Sequence, residues 1–142
     1  MRTVRHLLEA KTTEVFAIAP QAPVLDAIRL MAEKRVGALL VMEAGKLVGI
    51  VSERDYARKV VLQGRSSKDT PVRDIMTSDV VSIGHHDSLD HCMQLVTSRR
   101  IRHLPVLDGD SVLGVISIGD LVKAVIEDQQ LELEQLQRYI AS

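Results

Sequence analysis

Residues 65 positions apart repeat each other along this chain without a gap. Val15, Ile18, Leu30, Leu39, Val41, Gly49, Ser52, Asp55 and Val60 return as Val80, Ile83, Leu95, Leu104, Val106, Gly114, Ser117, Asp120 and Val125. Self-similarity at this period requires one supersecondary unit built twice. Each unit has about 60 residues, too few to bury enough surface to be comfortably stable alone, so the halves are expected to share a core. The polar residues that survive duplication are the most informative. Both halves end an apolar run in Gly-[apolar]-[apolar]-Ser-x-x-Asp, at Ser52/Asp55 and at Ser117/Asp120.

The pattern within one unit reads strand, helix, strand, strand, helix. Residues 2–10 read as a short helix, and Val15–Ile18 as an extended run. Pro20 and Pro23 lead into a helix whose Val24, Ala27, Ile28, Met31 and Ala32 recur at three and four. Gly37 interrupts it. Ala38–Met42 and Leu47–Val51 read as strands around a turn, and Ser52 opens a helix to about Leu62. The second copy repeats the order. It predicts a strand over Val80–Ile83, a helix marked by Leu89, Cys92, Met93 and Val96, and strands over Leu104–Leu107 and Val112–Ile116. Ser117 then opens a long last helix. This is a mixed α/β (α+β) order, with domains at 1–70 (including the N-terminal helix) and 71–142 (including the extended C-terminal helix). Val122, Val125, Ile126, Gln129, Leu133, Leu136 and Ile140 form a stripe on that helix. The stripe needs a cover, either its own unit or a partner subunit.

Composition narrows the function. Phe16, Tyr56 and Tyr139 are the whole aromatic complement, and the formal net charge is -1. Base-stacking and phosphate-backbone readers of nucleic acid are therefore disfavoured. Residues 1–70 carry 12 basic against 8 acidic side chains, and residues 71–142 carry 6 against 11. That bias is able to align halves or subunits, and is equally what an ordinary charged surface shows. A single cysteine, Cys92, excludes an internal disulfide. With no leader-like segment and no apolar run near 18 residues, the expectation is a cytoplasmic protein without a membrane partner.

Ser-x-x-Asp at a helix start is first of all a capping box. Its presence in both copies, each time after a paired strand, adds a second reading compatible with the first. A carboxylate accepts hydrogen bonds from the two neighbouring hydroxyls of a ribose. A Ser hydroxyl and the free N–H groups of a helix start receive phosphate oxygens. Short apolar side chains such as Val15, Ala38 and Val80 would enclose an adenine whose edge is read by backbone. Candidate cations for the phosphates are Lys34-Arg35, Arg99-Arg100, Arg58-Lys59 and Arg102-His103, the last followed by Leu104 and Pro105.

These pieces resemble a stand-alone pair of CBS domains, the family named for cystathionine beta-synthase. The resemblance spans residues 11–127. It is carried by Met76-Thr77, Arg102-His103-Leu104-Pro105-Val106, Leu113-Gly114-Val115-Ile116-Ser117 and the terminal Asp55 and Asp120. In the first copy the matching runs are Val36 to Val41 and Leu47 to Asp55. The resemblance implies two repeats packed as one pseudo-twofold module with two clefts, often assembled as a homodimer. It implies adenosine-containing ligands: AMP, ADP, ATP, S-adenosylmethionine or NAD. Asp55 or Asp120 would take the ribose, and Ser52 or Ser117 would lie near phosphates. Backbone around Ala38 and His103, and just before Val15 and Val80, would touch the base. Arg102 and His103 would reach a phosphate held by the partner chain. Arg54 and Gly119 differ at one matched position, Arg54 favouring a longer polyphosphate. Gly37-Ala38-Leu39-Leu40 stands where the second copy has Arg102-His103-Leu104-Pro105, so the two sites are unequal.

The nucleotide-binding candidates are therefore Val15, Ala38, Ser52, Arg54, Asp55, Thr77, Val80, Arg102, His103, Pro105, Ser117 and Asp120. No catalytic residue, catalytic cofactor or metal is assigned. His85-His86, with Asp87, Asp90 and His91, reads as polar loop rather than a metal site. Cys92 lacks a basic neighbour that would make it a nucleophile. The leading function is a regulatory nucleotide sensor acting on an unidentified effector protein. The alternative is a ligand-independent structural or adaptor module, in which the Ser and Asp residues only cap helices.

Overall fold

A computed structural model describes residues 2–11 and 14–141. The elements run α1 (Val4–Ala10), β1 (Ala17–Ile18), α2 (Val24–Lys34), β2 (Ala38–Glu43), β3 (Lys46–Ser52) and α3 (Glu53–Tyr56). They continue with α4 (Leu89–Arg99), β4 (His103–Asp108), β5 (Ser111–Ser117) and α5 (Ile118–Ala141). The 65-residue offset holds for both ends of the main helix and of both hairpin strands. The fold is mixed α/β, as the pattern predicts.

The chain divides into two compact units. One gathers residues 14–81 with 109–112; the other gathers the described residues of 2–11, 82–108 and 113–141. In the first, β1 lies parallel to β2, and β2 pairs antiparallel with β3. Val24, Ala27 and Met31 of α2 cover Leu39, Val41 and Val51 of the hairpin, with Val60, Val72 and Ile75 completing a buried core. At about 25 cal/mol per Å² of apolar surface removed from water, such aliphatic packing is what holds a unit with so few aromatics. In the second unit, Leu89, Cys92 and Val96 are buried with Leu104, Val106 and Ile116, and with Leu121 and Ala124 of α5.

Both main helices stop the same way. Arg35 (φ 57°) and Arg100 (φ 55°) turn left-handed directly after the last helical residue. Val36 N–H closes back on Met31 O at 3.0 Å. The stop expected at Gly37 thus falls two residues earlier, on the basic residue at the helix's negative end.

Two sequence expectations change. No strand forms over Val80–Ile83; Ile83 makes a single bridge to Val106. In the first unit Leu40 N–H donates to Phe16 O at 3.1 Å. The counterpart of Leu40 is Pro105, which has no N–H, so that rung cannot form and the ladder shortens to one pair. The helix from Ser52 also changes character, passing from α3 into a π-turn over Ala57–Val61.

The segments that precede the repeats cross over. The stretch ahead of the second repeat docks on the first: Val72 N–H bonds Ala22 O (2.8 Å) and Arg73 N–H bonds Pro20 O (2.9 Å). The stretch ahead of the first repeat docks on the second by the same two bonds, Val4 N–H to Asp87 O and Arg5 N–H to His85 O, both 2.9 Å. Helix α1 lies in the compact unit that gathers residues 82–108 and 113–141.

Helix α5 runs unbroken to Ala141 and does not fold back on its own unit. Beyond Asp128 its described side chains are all exposed, among them Leu133, Leu136 and Ile140. No helix among the described residues is long and apolar enough to cross a membrane.

Candidate functional site

Each unit places its Ser-x-x-Asp where a hairpin strand passes into a helix. In the first, Asp55 N–H donates to Ser52 Oγ at 3.2 Å, and Ser52 N–H donates to Asp55 Oδ2 at 2.9 Å. Ser52 Oγ–H also donates to Oδ2 at 3.1 Å. In the second, Asp120 N–H donates to Ser117 Oγ at 3.1 Å, and Ser117 N–H to Asp120 Oδ2 at 2.8 Å. Reciprocal bonding of this kind satisfies two of the orphan donors of a helix start and contributes about 1 kcal/mol per cap. It also holds both carboxylates in one rotamer, half-buried at the strand end. Each helix entry is pinned a second time: Glu53 N–H bonds Gly37 O at 3.0 Å, and Ile118 N–H bonds Arg102 O at 2.8 Å.

Pairing brings most candidates of each copy to one end of its hairpin. Ala38 sits opposite Ser52 in the β2–β3 register. The Leu40 N–H to Phe16 O bond sets Val15 beside the Ala38 end of β2, with Val15 38% exposed. Residues 12 and 13, part of the backbone just before Val15, lie outside the described residues. Thr77 bridges Ile50, two residues before Ser52, through Ile50 N–H to Thr77 O (3.0 Å) and Thr77 N–H to Ile50 O (2.8 Å). Arg54 stands exposed on α3, and Val80 is half-buried in the same unit. In the other unit His103 begins β4, Ser117 ends β5, and exposed Arg102 lies against Ile118 through its carbonyl. Pro105 is buried; its part is to shorten the ladder described above.

Of the two cations at the carboxylates, one is among the expected basic residues and one is not. In the first copy Lys59, on the π-turn, reaches Asp55 Oδ1 at 3.3 Å and donates to Ile75 O at 2.9 Å. Its spacing of four from Asp55 was the sequence signal. In the second copy the cation is Lys11, which sequence reading did not single out. Its Nζ lies 2.8 Å from Asp120 Oδ2 and donates to Val115 O at 3.0 Å. The usable signal was the repeat offset, which aligns Lys11 with Met76, directly before Thr77.

Burial by itself would raise the Asp120 carboxyl. Hydrogen bonds from Lys11 and Ser117, with the Lys11 charge, outweigh it and hold the group below its ordinary value of 3.8. Cys92 goes the other way: burial, then the Asp87 charge, pushes its thiol up to about 11. At neutral pH it is a protonated, buried side chain with no nucleophilic character. His85 and His86 lie with ring centroids 3.9 Å apart, while Asp87 Oδ2 accepts the Gly84 N–H at 2.7 Å. Among the described residues no His, Cys, Asp and Glu side chains gather in an arrangement that holds a metal.

Comparison with known proteins bears on the family and the fold. The family model described as CBS domain matches residues 4–62 and 72–127. The Arabidopsis thaliana "CBS domain-containing protein CBSX3, mitochondrial" is 44% identical over 122 residues; the match covers 82% of this chain and 59% of that protein's length. A solved CBS-domain protein from Burkholderia ambifaria is 55% identical, with a TM-score of 0.86 over 89% of this chain and 96% of its own. The CBS domain pair of protein MJ0100, solved with 5-methylthioadenosine and S-adenosyl-L-methionine, shares the fold at a TM-score of 0.80 and 21% identity. That match covers 90% of this chain and 98% of its own.

Proposed function

This chain belongs to the CBS domain family, and we propose that it is a non-enzymatic regulatory module binding an adenosine-containing nucleotide (AMP, ADP, ATP or NAD) at its Ser-x-x-Asp helix starts. The observation that carries the reading is a half-buried carboxylate held at each start beside strand-end backbone. Lysine compensates each carboxylate: Lys59 at Asp55 and Lys11 at Asp120. A ribose diol has two donors to offer such a carboxylate, and a charged acceptor makes the stronger bonds. A protein of the same fold carries two adenosine compounds, which supports the choice of ligand class. Its output is contact with an effector protein, since a ligand acts only by favouring one form over another. The exposed stripe Leu133, Leu136 and Ile140 on α5 supports assembly as a homodimer, which mass measurement in solution tests.

Calorimetric titration with AMP, ATP and NAD tests the ligand. We expect Asp55→Asn and Asp120→Asn each to weaken its own site about tenfold or more, as loss of a charge-assisted hydrogen bond implies, with a smaller effect on folding. One observation favours a second reading: in both capping boxes Ser and Asp bond each other's backbone, a structural role complete in itself. If no nucleotide at millimolar concentration gives heat or a thermal shift, the chain is a structural or adaptor module.

A further inference from the structure

The second helix start meets a lysine from outside its own helical run. Lys11 Nζ bridges Asp120 Oδ2 (2.8 Å) and Val115 O (3.0 Å). In the first repeat the counterpart of Val115 is Ile50, whose N–H and C=O both pair with the Thr77 backbone. The counterpart of Lys11 is Met76, whose thioether packs on Gly49; a β-carbon there would come within 2.6 Å of its Sδ. Segments that dock alike therefore deliver different chemistry. The first hairpin edge meets an apolar side chain and a backbone bridge, while the second meets an ammonium that crosses to the carboxylate. Asp55 instead takes its lysine from the same helical run, four residues on.

Asp120 Oδ2 thus already accepts two donors. The Ser117 N–H is part of the helix cap and stays with it. Lys11 is held on a flexible stem, 34% exposed, and belongs to the segment docked through Val4 and Arg5. A ribose diol that spans both carboxylate oxygens needs, on Oδ2, the lone pair that Lys11 uses. Resting on the reading of Asp120 as the ribose carboxylate, we propose that Lys11 is a tethered cation occupying the second site. An adenosine ligand must displace it, so occupancy of Asp120 and docking of residues 2–11 oppose each other. Linkage makes the opposition reciprocal: loosening the segment tightens the ligand by the factor with which the ligand loosens the segment. In the first site the lysine comes from the helical run of Asp55 itself and touches the docked segment only through the Ile75 carbonyl.

The test uses the full chain carrying Asp55→Asn, so that heat reports the second site, with Lys11→Met and Lys11→Gln added to that background. Adenosine and AMP are the titrants, and hydrogen exchange follows the α1 amides. Both Lys11 variants are expected to bind adenosine and AMP about threefold to fivefold more tightly, the range a partly exposed ion pair supplies. AMP should speed α1 exchange in the Lys11 background, whereas in Lys11→Met exchange is already fast. Binding only after Lys11 is removed also supports the proposal. Unchanged adenosine affinity overturns it and leaves the nucleotide reading intact. So does weaker binding of AMP but not adenosine, which makes Lys11 a phosphate contact. Silence of every variant, together with silence of Asp120→Asn carrying an intact Asp55 site, overturns both. Thermal melts of the two variants separate misfolding from these outcomes, since Gln keeps a hydrogen-bonding head that Met lacks.

Discussion

The two helix starts share a sequence pattern and a set of capping bonds, yet their aspartates are neutralised from different places. Asp55 meets Lys59 from its own helical run; Asp120 meets Lys11, 109 residues away in sequence. Duplication copies what is local. A cap closes within four residues, so it survives wherever Ser and Asp survive. A counter-ion delivered by a flanking segment depends on which residue that segment carries, and here one copy carries Met76 and the other Lys11. The consequence is mechanical: the first site's charge balance is internal to its helix, and the second site's is tied to the seating of residues 2–11.

The strongest challenge to this contrast is Gly49→Ala. The new β-carbon would sit 2.6 Å from Met76 Sδ and 3.0 Å from Thr77 O. The thioether can shift, but the carbonyl is backbone, so we expect a loss of about 2 kcal/mol in urea denaturation. A neutral result would mean that the Met76–Thr77 seat is loose and the two docked segments are less alike than they look.

Next in size are the caps. Ser52→Ala and Ser117→Ala should each cost about 1 kcal/mol, and by equal amounts. An unequal pair would show that the starts differ in the cap and not only in the cation. The lysines follow. Lys11→Met should cost about 0.5–1 kcal/mol and Lys59→Met less, because both pairs are partly exposed and solvent screens them. The sharper readout is location: amide exchange should quicken in α1 for Lys11→Met, and in residues 53–61 with the turn at Ile75 for Lys59→Met.

The smallest expected effect is in acid. Asp120 has a lowered carboxyl value in the folded state. Its contribution is therefore complete above the ordinary 3.8 and fades as pH falls through the lower folded value. The stability gap between the original chain and Lys11→Met should close over that acid range. A gap that persists at lower pH would show that Lys11 acts through Val115 O or packing rather than through Asp120.

Much of the architecture was legible because it is written in short-range periods. The three-and-four spacing of Val24, Ala27 and Met31 marks a helix face, and the strands flanking Ala44-Gly45 and Gly109-Asp110 are bounded by turn residues with positive φ at Ala44, Gly45 and Gly109. The strand predicted over Val80–Ile83 failed for a reason also written in the chain. Pro105 removes the donor its partner would need, but that matters only once the two segments are known to meet. The π-turn after Tyr56 carries no comparable pattern. Its five residues bury only Val60, and an ordinary helix would satisfy the same period.

What the sequence determined by itself is the duplication, the order of elements and the two Ser–Asp starts. Each rests on interactions between residues a few positions apart, or on the 65-residue echo. Only the tertiary structure decided which unit each preceding segment joins, that α5 leaves its apolar stripe uncovered by its own unit, and that Lys11 ends 2.8 Å from Asp120. Those outcomes depend on closing loops of many residues. A side chain's own neighbourhood in sequence carries no information about which distant carboxylate lies at the far end of such a loop.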